Sequence, residues 1–218
     1  MTVRDRDARL SGLYVITDNG QTPADRLGAA VEAAIRGGAR IVQYRDKSTD
    51  SDRRRREAAA LRAVTREYNV LFLVNDDIDL AAQVGADGVH IGREDASLAL
   101  ARERLGASAI IGVSCYDRFD LAQLAVEQGA DYVAFGAFFP SRIKPNAPRA
   151  TIDLLIRAHA ELPVPVCAIG GITVAEAPPL IRAGADMLAV ISAVFSAENI
   201  EQAARELAGL FDAEHSQS

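Results

Sequence analysis

Gly38-Ala39-Arg40-Ile41-Val42-Gln43-Tyr44-Arg45 reads as small turn residues, a short apolar run and then polar groups. The same phrase returns as Gly85-Ala86-Asp87-Gly88-Val89-His90-Ile91-Gly92 and as Gly129-Ala130-Asp131-Tyr132-Val133-Ala134-Phe135-Gly136. A fourth copy is Gly184-Ala185-Asp186-Met187-Leu188-Ala189-Val190-Ile191-Ser192. The leading glycines stand 47, 44 and 55 residues apart. Fixed-period self-similarity is an architectural signal. This period is too long for one strand-helix unit and fits two, so four copies make eight units. Eight short, nearly all-apolar strands alternating with helices predict an α/β chain folded as a (β/α)8 TIM barrel, in a single domain. An open doubly wound sheet is the alternative. It needs a G-x-G-x-x-G turn after the first strand, and Asp18-Asn19-Gly20-Gln21 is not one.

Working outward, residues 1–11 read as a frayed lead, 12–212 as the barrel and 213–218 as a polar tail. The 218 residues are 49% hydrophobic and 25% charged, an ordinary globular balance. A net charge of −6 argues against general nucleic-acid binding but allows a local cationic pocket. No apolar run reaches membrane-span length, and the charged start lacks the apolar core of a signal peptide. A cytoplasmic protein is expected, with no membrane or nucleic-acid partner; a homo-oligomer is compatible with the sequence. Cys115 and Cys167 sit in apolar runs and read as reduced, buried thiols.

Along the chain, Thr22-Pro23 predicts a helix start reaching about Arg36. A second helix is predicted over 50–68. It carries Arg53-Arg54-Arg55-Arg56, four residues pointing four ways and expected to form a solvated face. Leu121, Leu124 and Ala125 are expected on one buried helix face. Thr173-Val174-Ala175-Glu176 is a capping-box pattern. The one long irregular stretch, 136–148, is expected to be functional and to close over the site.

Active sites of such barrels lie at the C-terminal strand ends. Gln43, Arg45 and Lys47 follow the second strand, and alternation puts them on one side, suited to an anionic, phosphorylated ligand. Salt bridges to rim acids are the plainer use of those cations. Asp76 and Asp95 follow the third and fourth strands. Two carboxylates facing a phosphate suit Mg²⁺, with helix capping the plainer role for either. Ser114 ends the fifth strand, and Ser141, Arg142 and Lys144 follow the sixth. Gly170-Gly171 offers backbone N–H groups to a phosphate. His90 is expected to pack. His159 and His215 lie in a helix and the tail, so a nucleophile-histidine triad has no obvious members.

In order, the chain holds Gln43-x-Arg45-x-Lys47, Asn75-Asp76, Gly88-Val89-His90-Ile91-Gly92 with Asp95, Gly112-Val113-Ser114, Phe139-Pro140-Ser141 to Lys144, Gly170-Gly171-Ile172 and Val190-Ile191-Ser192. Over residues 13–211 this set resembles the thiamine-phosphate synthase family. The resemblance implies a transferase that joins 4-amino-2-methyl-5-hydroxymethylpyrimidine diphosphate to 4-methyl-5-(2-phosphoethyl)thiazole, or its carboxylated form. The products are thiamine phosphate and diphosphate, formed by a dissociative, Mg²⁺-assisted route. It implies that Gln43, Tyr44, Arg45, Asp46, Lys47, Asn75, Ser114 and Lys144 bind the pyrimidine diphosphate. Among these, Arg45, Lys47, Ser114 and Lys144 carry catalysis. It further implies that Ser141, Arg142, Ile143, Gly171, Ile191 and Ser192 hold the thiazole phosphate, and that Asp76 and Asp95 hold one Mg²⁺ per subunit.

The chain departs from the family where Ile143 replaces a hydroxyl residue, leaving backbone N–H groups or Arg142 to serve there, and at Arg93, where glutamine is frequent. Related thiazole tautomerases carry a catalytic histidine two residues after the serine of the fifth strand. Tyr116 stands there, which favours the synthase. A binding or regulatory barrel, and another phosphate-handling barrel such as an isomerase, are the remaining alternatives. The first would have lost its rim charges and the second would show an acid/base pair.

Overall fold

The structure, a computed structural model, describes residues 7–92, 97–140 and 149–215. Eight parallel strands close into a barrel in sequence order. They are β1 (Gly12–Ile16), β2 (Ala39–Tyr44), β3 (Leu71–Asn75), β4 (Gly88–Ile91), β5 (Ile110–Tyr116), β6 (Tyr132–Phe135), β7 (Val166–Ile169) and β8 (Met187–Val190). The helices are α1 (Leu27–Arg36), α2 (Ser51–Glu67), α3 (Ile78–Val84), α4 (Leu98–Leu105), α5 (Phe119–Glu127), α6 (Ile152–Glu161), α7 (Ala177–Arg182), the short α8 (Ser192–Phe195) and α9 (Ile200–His215).

Strand alternation sorts the core into two shells. Tyr14, Ile16, Ile41, Leu73, Ile110, Tyr132, Cys167 and Met187 belong to a cluster with no helical member, which is the barrel interior. Leu13, Val42, Phe72, Val89, Ile111, Val133 and Leu188 pack with Val31, Leu61, Leu155 and Leu207 of the helices. Both cysteines are free and buried, as expected. No helix among the described residues is long and apolar enough to cross a membrane.

The recurring Gly-Ala-Asp has a physical reason at the N-terminal end of the barrel. Asp87 donates its backbone N–H to the Phe72 carbonyl at 2.9 Å and accepts the Phe72 N–H on its carboxylate at 2.8 Å. Asp131 clasps Ile111 in the same way, and Asp186 clasps Val166. Each aspartate therefore ties an even strand to the odd strand before it and satisfies a backbone group at the barrel's base. Arg62 grips Asp87 with two 2.8 Å bonds, and Arg102 reaches Asp131 at 2.7 Å. In the first copy Arg40 stands in place of the acid and donates to the Ser11 hydroxyl.

The helices begin where side-chain caps permit. Asp50, Asp77, Ser97 and Thr151 each accept a backbone N–H three residues on, satisfying a donor the helix leaves open. Thr22-Pro23 does not open α1. The Thr22 hydroxyl bonds the Asp18 backbone instead, and the helix starts only at Leu27. Glu176 does reach back to the Thr173 N–H, and α7 proper begins at Ala177. In α5 the buried residues are Phe119, Ala122 and Ala125, while Leu124 is exposed. Ala125 and the partly buried Leu121 do face the core, so of the expected face only Leu124 departs.

Candidate active site

The C-terminal end of the barrel gathers the described candidates. Gln43, Asn75 and Ser114 occupy alternation positions that point inward, and Gln43 is buried. Arg45 donates its backbone N–H to Thr17 Oγ1 at 3.0 Å and its guanidinium to Asp18 at 2.7 Å. Alternation stops serving at Tyr44, where β2 ends. Lys47 lies beyond it, exposed, and donates to Asp76 at the end of β3. The salt bridges that the sequence offered as the plainer use of these cations are therefore present. Each is also a cation held at the rim by a carboxylate.

Asp76 has φ +62°, a left-handed backbone that non-glycine residues rarely adopt. Its N–H donates to the His90 carbonyl at 2.9 Å, and its carboxylate accepts from Lys47 and Asn75. The capping role falls to its neighbour Asp77, which accepts the Leu80 N–H at 2.8 Å. Backbone strain of this kind clusters at functional sites. A cavity of about 620 Å³ opens beside these groups, lined among others by Lys47, Asn75, Asp76, Asp77, Arg54 and Arg104. A groove of about 1110 Å³ lies at the opposite end of the barrel, by Gly38, Arg40 and Asp186, away from the strand-end polar groups.

Tyr44 and Asp46 turn their side chains toward α2. The Tyr44 hydroxyl donates to Glu57 at 2.7 Å. Asp46 accepts from the Ser48 N–H at 2.7 Å, Asn19 at 2.6 Å and Arg53 at 2.6 Å. Burial alone would raise its carboxyl pKa, but these donors outweigh burial and hold it well below the usual carboxylate range. The arginine run is thus not wholly solvated. Arg53 anchors the loop after β2 through Asp46, Arg54 anchors the loop after β3 through Asp77 at 2.8 Å, and Arg55 and Arg56 are exposed.

Inside the rim runs a chain that sequence reasoning missed. Gln43 Nε2 donates to the Tyr14 hydroxyl. Tyr14 and Tyr132 hydroxyls lie 3.0 Å apart, Tyr132 and His90 Nδ1 2.8 Å, and His90 Nε2 and Ser114 Oγ 2.8 Å. His90, expected to pack, is a link in this chain. Its ring also stacks on Tyr132, with centroids 5.6 Å apart. The signal was available in register: His90 pairs with Gly112, and Gly112 with Tyr132. A Cβ at Gly112 would overlap the Tyr132 ring, so the glycine makes the room the tyrosine fills.

At the β7 and β8 ends, Gly170 (φ +103°) and Gly171 (φ +66°) carry the loop after β6. Phe139 donates to the Gly170 carbonyl at 2.9 Å, and a Cβ at either glycine would strike Ala137 or Pro140. Ile191 is half-buried, and exposed Ser192 opens α8. Asp95, Ser141, Arg142, Ile143 and Lys144, with Arg93 and most of the 136–148 loop, lie outside the described residues. Among the described residues no three His, Cys, Asp or Glu side chains form a metal cluster. The Asp76 carboxylate, turned to the rim by its left-handed backbone, fits one hard oxygen donor for a divalent cation.

Residues 13–194 match the family model described as thiamine monophosphate synthase. The chain is 52% identical over 204 residues to a thiamine-phosphate synthase of Thioalkalivibrio sulfidiphilus, covering 94% of this chain and 97% of the relative. It is 53% identical over 205 residues to one of Chromobacterium violaceum, covering 94% and 98%. A solved thiamine phosphate pyrophosphorylase from Pyrococcus furiosus superposes with a TM-score of 0.87 at 36% identity, covering 95% of this chain and 98% of that one.

Proposed function

The chain belongs to the thiamine monophosphate synthase family and is an enzyme of thiamine biosynthesis, a transferase; on that premise we propose that it condenses 4-amino-2-methyl-5-hydroxymethylpyrimidine diphosphate with 4-methyl-5-(2-phosphoethyl)thiazole, or its carboxylated form. The observation that carries this reading is two cation–carboxylate pairs at neighbouring strand ends: Arg45 on Asp18, and Lys47 on Asp76, which Asn75 also bonds.

The diphosphate takes the two cations from their present carboxylate partners. Arg45 exchanges Asp18 for phosphate oxygens, and Lys47 exchanges Asp76. Both cations meet charge that grows as the bond from the exocyclic methylene carbon to the diphosphate oxygen breaks, its electron pair leaving with the diphosphate. The aminopyrimidine spreads the positive charge left on that carbon. The thiazole nitrogen then attacks, forming the new carbon–nitrogen bond of thiamine phosphate. Gln43 and Ser114 orient the pyrimidine from inside the barrel. By the family's motifs, Gly171, Ile191 and Ser192, together with Ser141, Arg142 and Ile143, would hold the thiazole phosphate, and Lys144 would contact the diphosphate. Asp76 and Asp95 would hold one Mg²⁺ per subunit, which when bound supplies neutralisation of the departing diphosphate. On the same reading the enzyme works in the cytoplasm on phosphorylated small molecules.

A coupled assay tests this. Purified protein is mixed with the pyrimidine diphosphate, the thiazole phosphate and Mg²⁺, and diphosphate and thiamine phosphate are followed together. Equal, Mg²⁺-dependent appearance of both is expected. Well-folded protein that forms neither would overturn the reading.

A further inference from the structure

Five strands contribute one side chain each to the chain Gln43–Tyr14–Tyr132–His90–Ser114. With the Gln43 amide set Nε2 toward Tyr14 and His90 neutral, counting protons gives its direction. A phenol has one proton to give, and a neutral imidazole has one donor and one acceptor nitrogen. Gln43 gives an amide N–H to Tyr14, so the Tyr14 proton goes to Tyr132. Tyr132, having accepted, gives its own proton to His90 Nδ1. Nδ1 is then an acceptor, the ring proton sits on Nε2, and Nε2–H donates to Ser114 Oγ. Both phenols are fully buried, and desolvation holds them protonated, so neither can serve as acceptor alone. The opposite direction would need the Gln43 carbonyl oxygen turned to Tyr14 and would commit the Ser114 proton to His90.

We propose that His90 is a positioning residue: held as the Nε2–H tautomer by the buried Tyr14–Tyr132 pair, it fixes Ser114 as a hydrogen-bond donor toward the substrate. A ligand meets Ser114 with an acceptor, a ring nitrogen or a phosphoryl oxygen, and reversal of the chain would remove that donor. The chain is built into the strands, since Gly112 is bare where Tyr132 crosses it. This role rests on the proposed function only in taking Ser114 as a substrate contact.

The tautomer is read by ¹⁵N NMR on the full-length, ligand-free protein, with the His90 signals assigned from their loss in His90→Gln. A proton on Nε2 and none on Nδ1 is expected, retained in Ser114→Ala and mixed in Tyr132→Phe. A proton on Nδ1, or a Tyr132→Phe spectrum identical to wild type, would overturn the proposal. Kinetics separate positioning from packing. With pyrimidine diphosphate varied, kcat/KM is expected to fall about tenfold in Tyr132→Phe and in His90→Asn, whose amide reaches only the Nδ1 position. His90→Gln, whose amide N–H reaches the Nε2 position, is expected to retain several-fold more. Equal losses in the two amide variants, each with an unchanged melting temperature, would refute it. Absence of turnover in the wild type would sink the proposed function while leaving the tautomer result standing.

Discussion

Lys47, beyond the end of β2, donates to the carboxylate of Asp76, which stands on a left-handed backbone just past β3. Lys47 is 57% exposed, so the pair contributes little to stability, while the backbone of Asp76 costs about 1–2 kcal/mol for a residue with a Cβ. Asp76→Gly, free of the Cβ penalty at this left-handed position, is expected to be about 1 kcal/mol more stable to urea than Asp76→Ala, yet to lose turnover. Asp76→Ala is expected to lose turnover without the gain. A glycine variant that stays active, or one less stable than the alanine variant, would contradict the assignment.

Arg45 is the second rim cation, and Asp18 is its partner at 2.7 Å. Removing a preorganised donor to developing charge costs about 10²–10³ in rate. Arg45→Ala should show that loss in kcat with a melting temperature within a few degrees of wild type. Arg45→Lys keeps the charge without the planar fork and should fall between. Turnover of Arg45→Ala within a few-fold of wild type would end the diphosphate role.

The four-fold rhyme made the barrel legible because each copy ends a helix and begins an even strand. Its third letter was not legible. Asp87, Asp131 and Asp186 look like solvent-facing acids, and only the closed sheet shows each clasping a backbone N–H across a strand pair. At the rim, Gln43, Asn75 and Ser114 were readable because strand alternation fixes their direction. Lys47 and the partners of Arg53 and Arg54 were not, since they lie past strand ends or across helices, where spacing along the chain says nothing about contact. His90 packs on Tyr132 as expected, but its hydrogen bonds were not legible, because Tyr132 and Ser114 come from other strands at 42 and 24 residues' remove.

Those clasps give a prediction away from the chemistry. Replacing Asp131 by Ala strands the Ile111 N–H and takes a partner from Arg102. A buried donor left unsatisfied costs about 1–3 kcal/mol. Asp131→Ala and Asp87→Ala should each lower unfolding free energy by that much in urea, with KM for both substrates unchanged. A stable variant would mean that the carboxylate is replaceable by water; a shifted KM would mean that the base of the barrel communicates with its rim.

Asp46 yields a pH dependence. Its folded pKa lies below the ordinary 3.8, because the Ser48 N–H, Asn19 and Arg53 outweigh the opposing effect of burial. A carboxyl depressed in the folded state contributes its stability in full above its unfolded value and loses it as pH falls toward the folded value. Asp46→Asn, which cannot make the charged bond to Arg53, should therefore cost about 2 kcal/mol at pH 7. The gap should hold down to about pH 5 and narrow below about pH 4, where the wild-type carboxylate begins to lose its advantage. Urea midpoints for both proteins between pH 7 and pH 2 measure this directly. Parallel curves across that range would mean that Asp46 is not held ionised by its donors, and that the loop bearing Arg45 and Lys47 is anchored by packing alone.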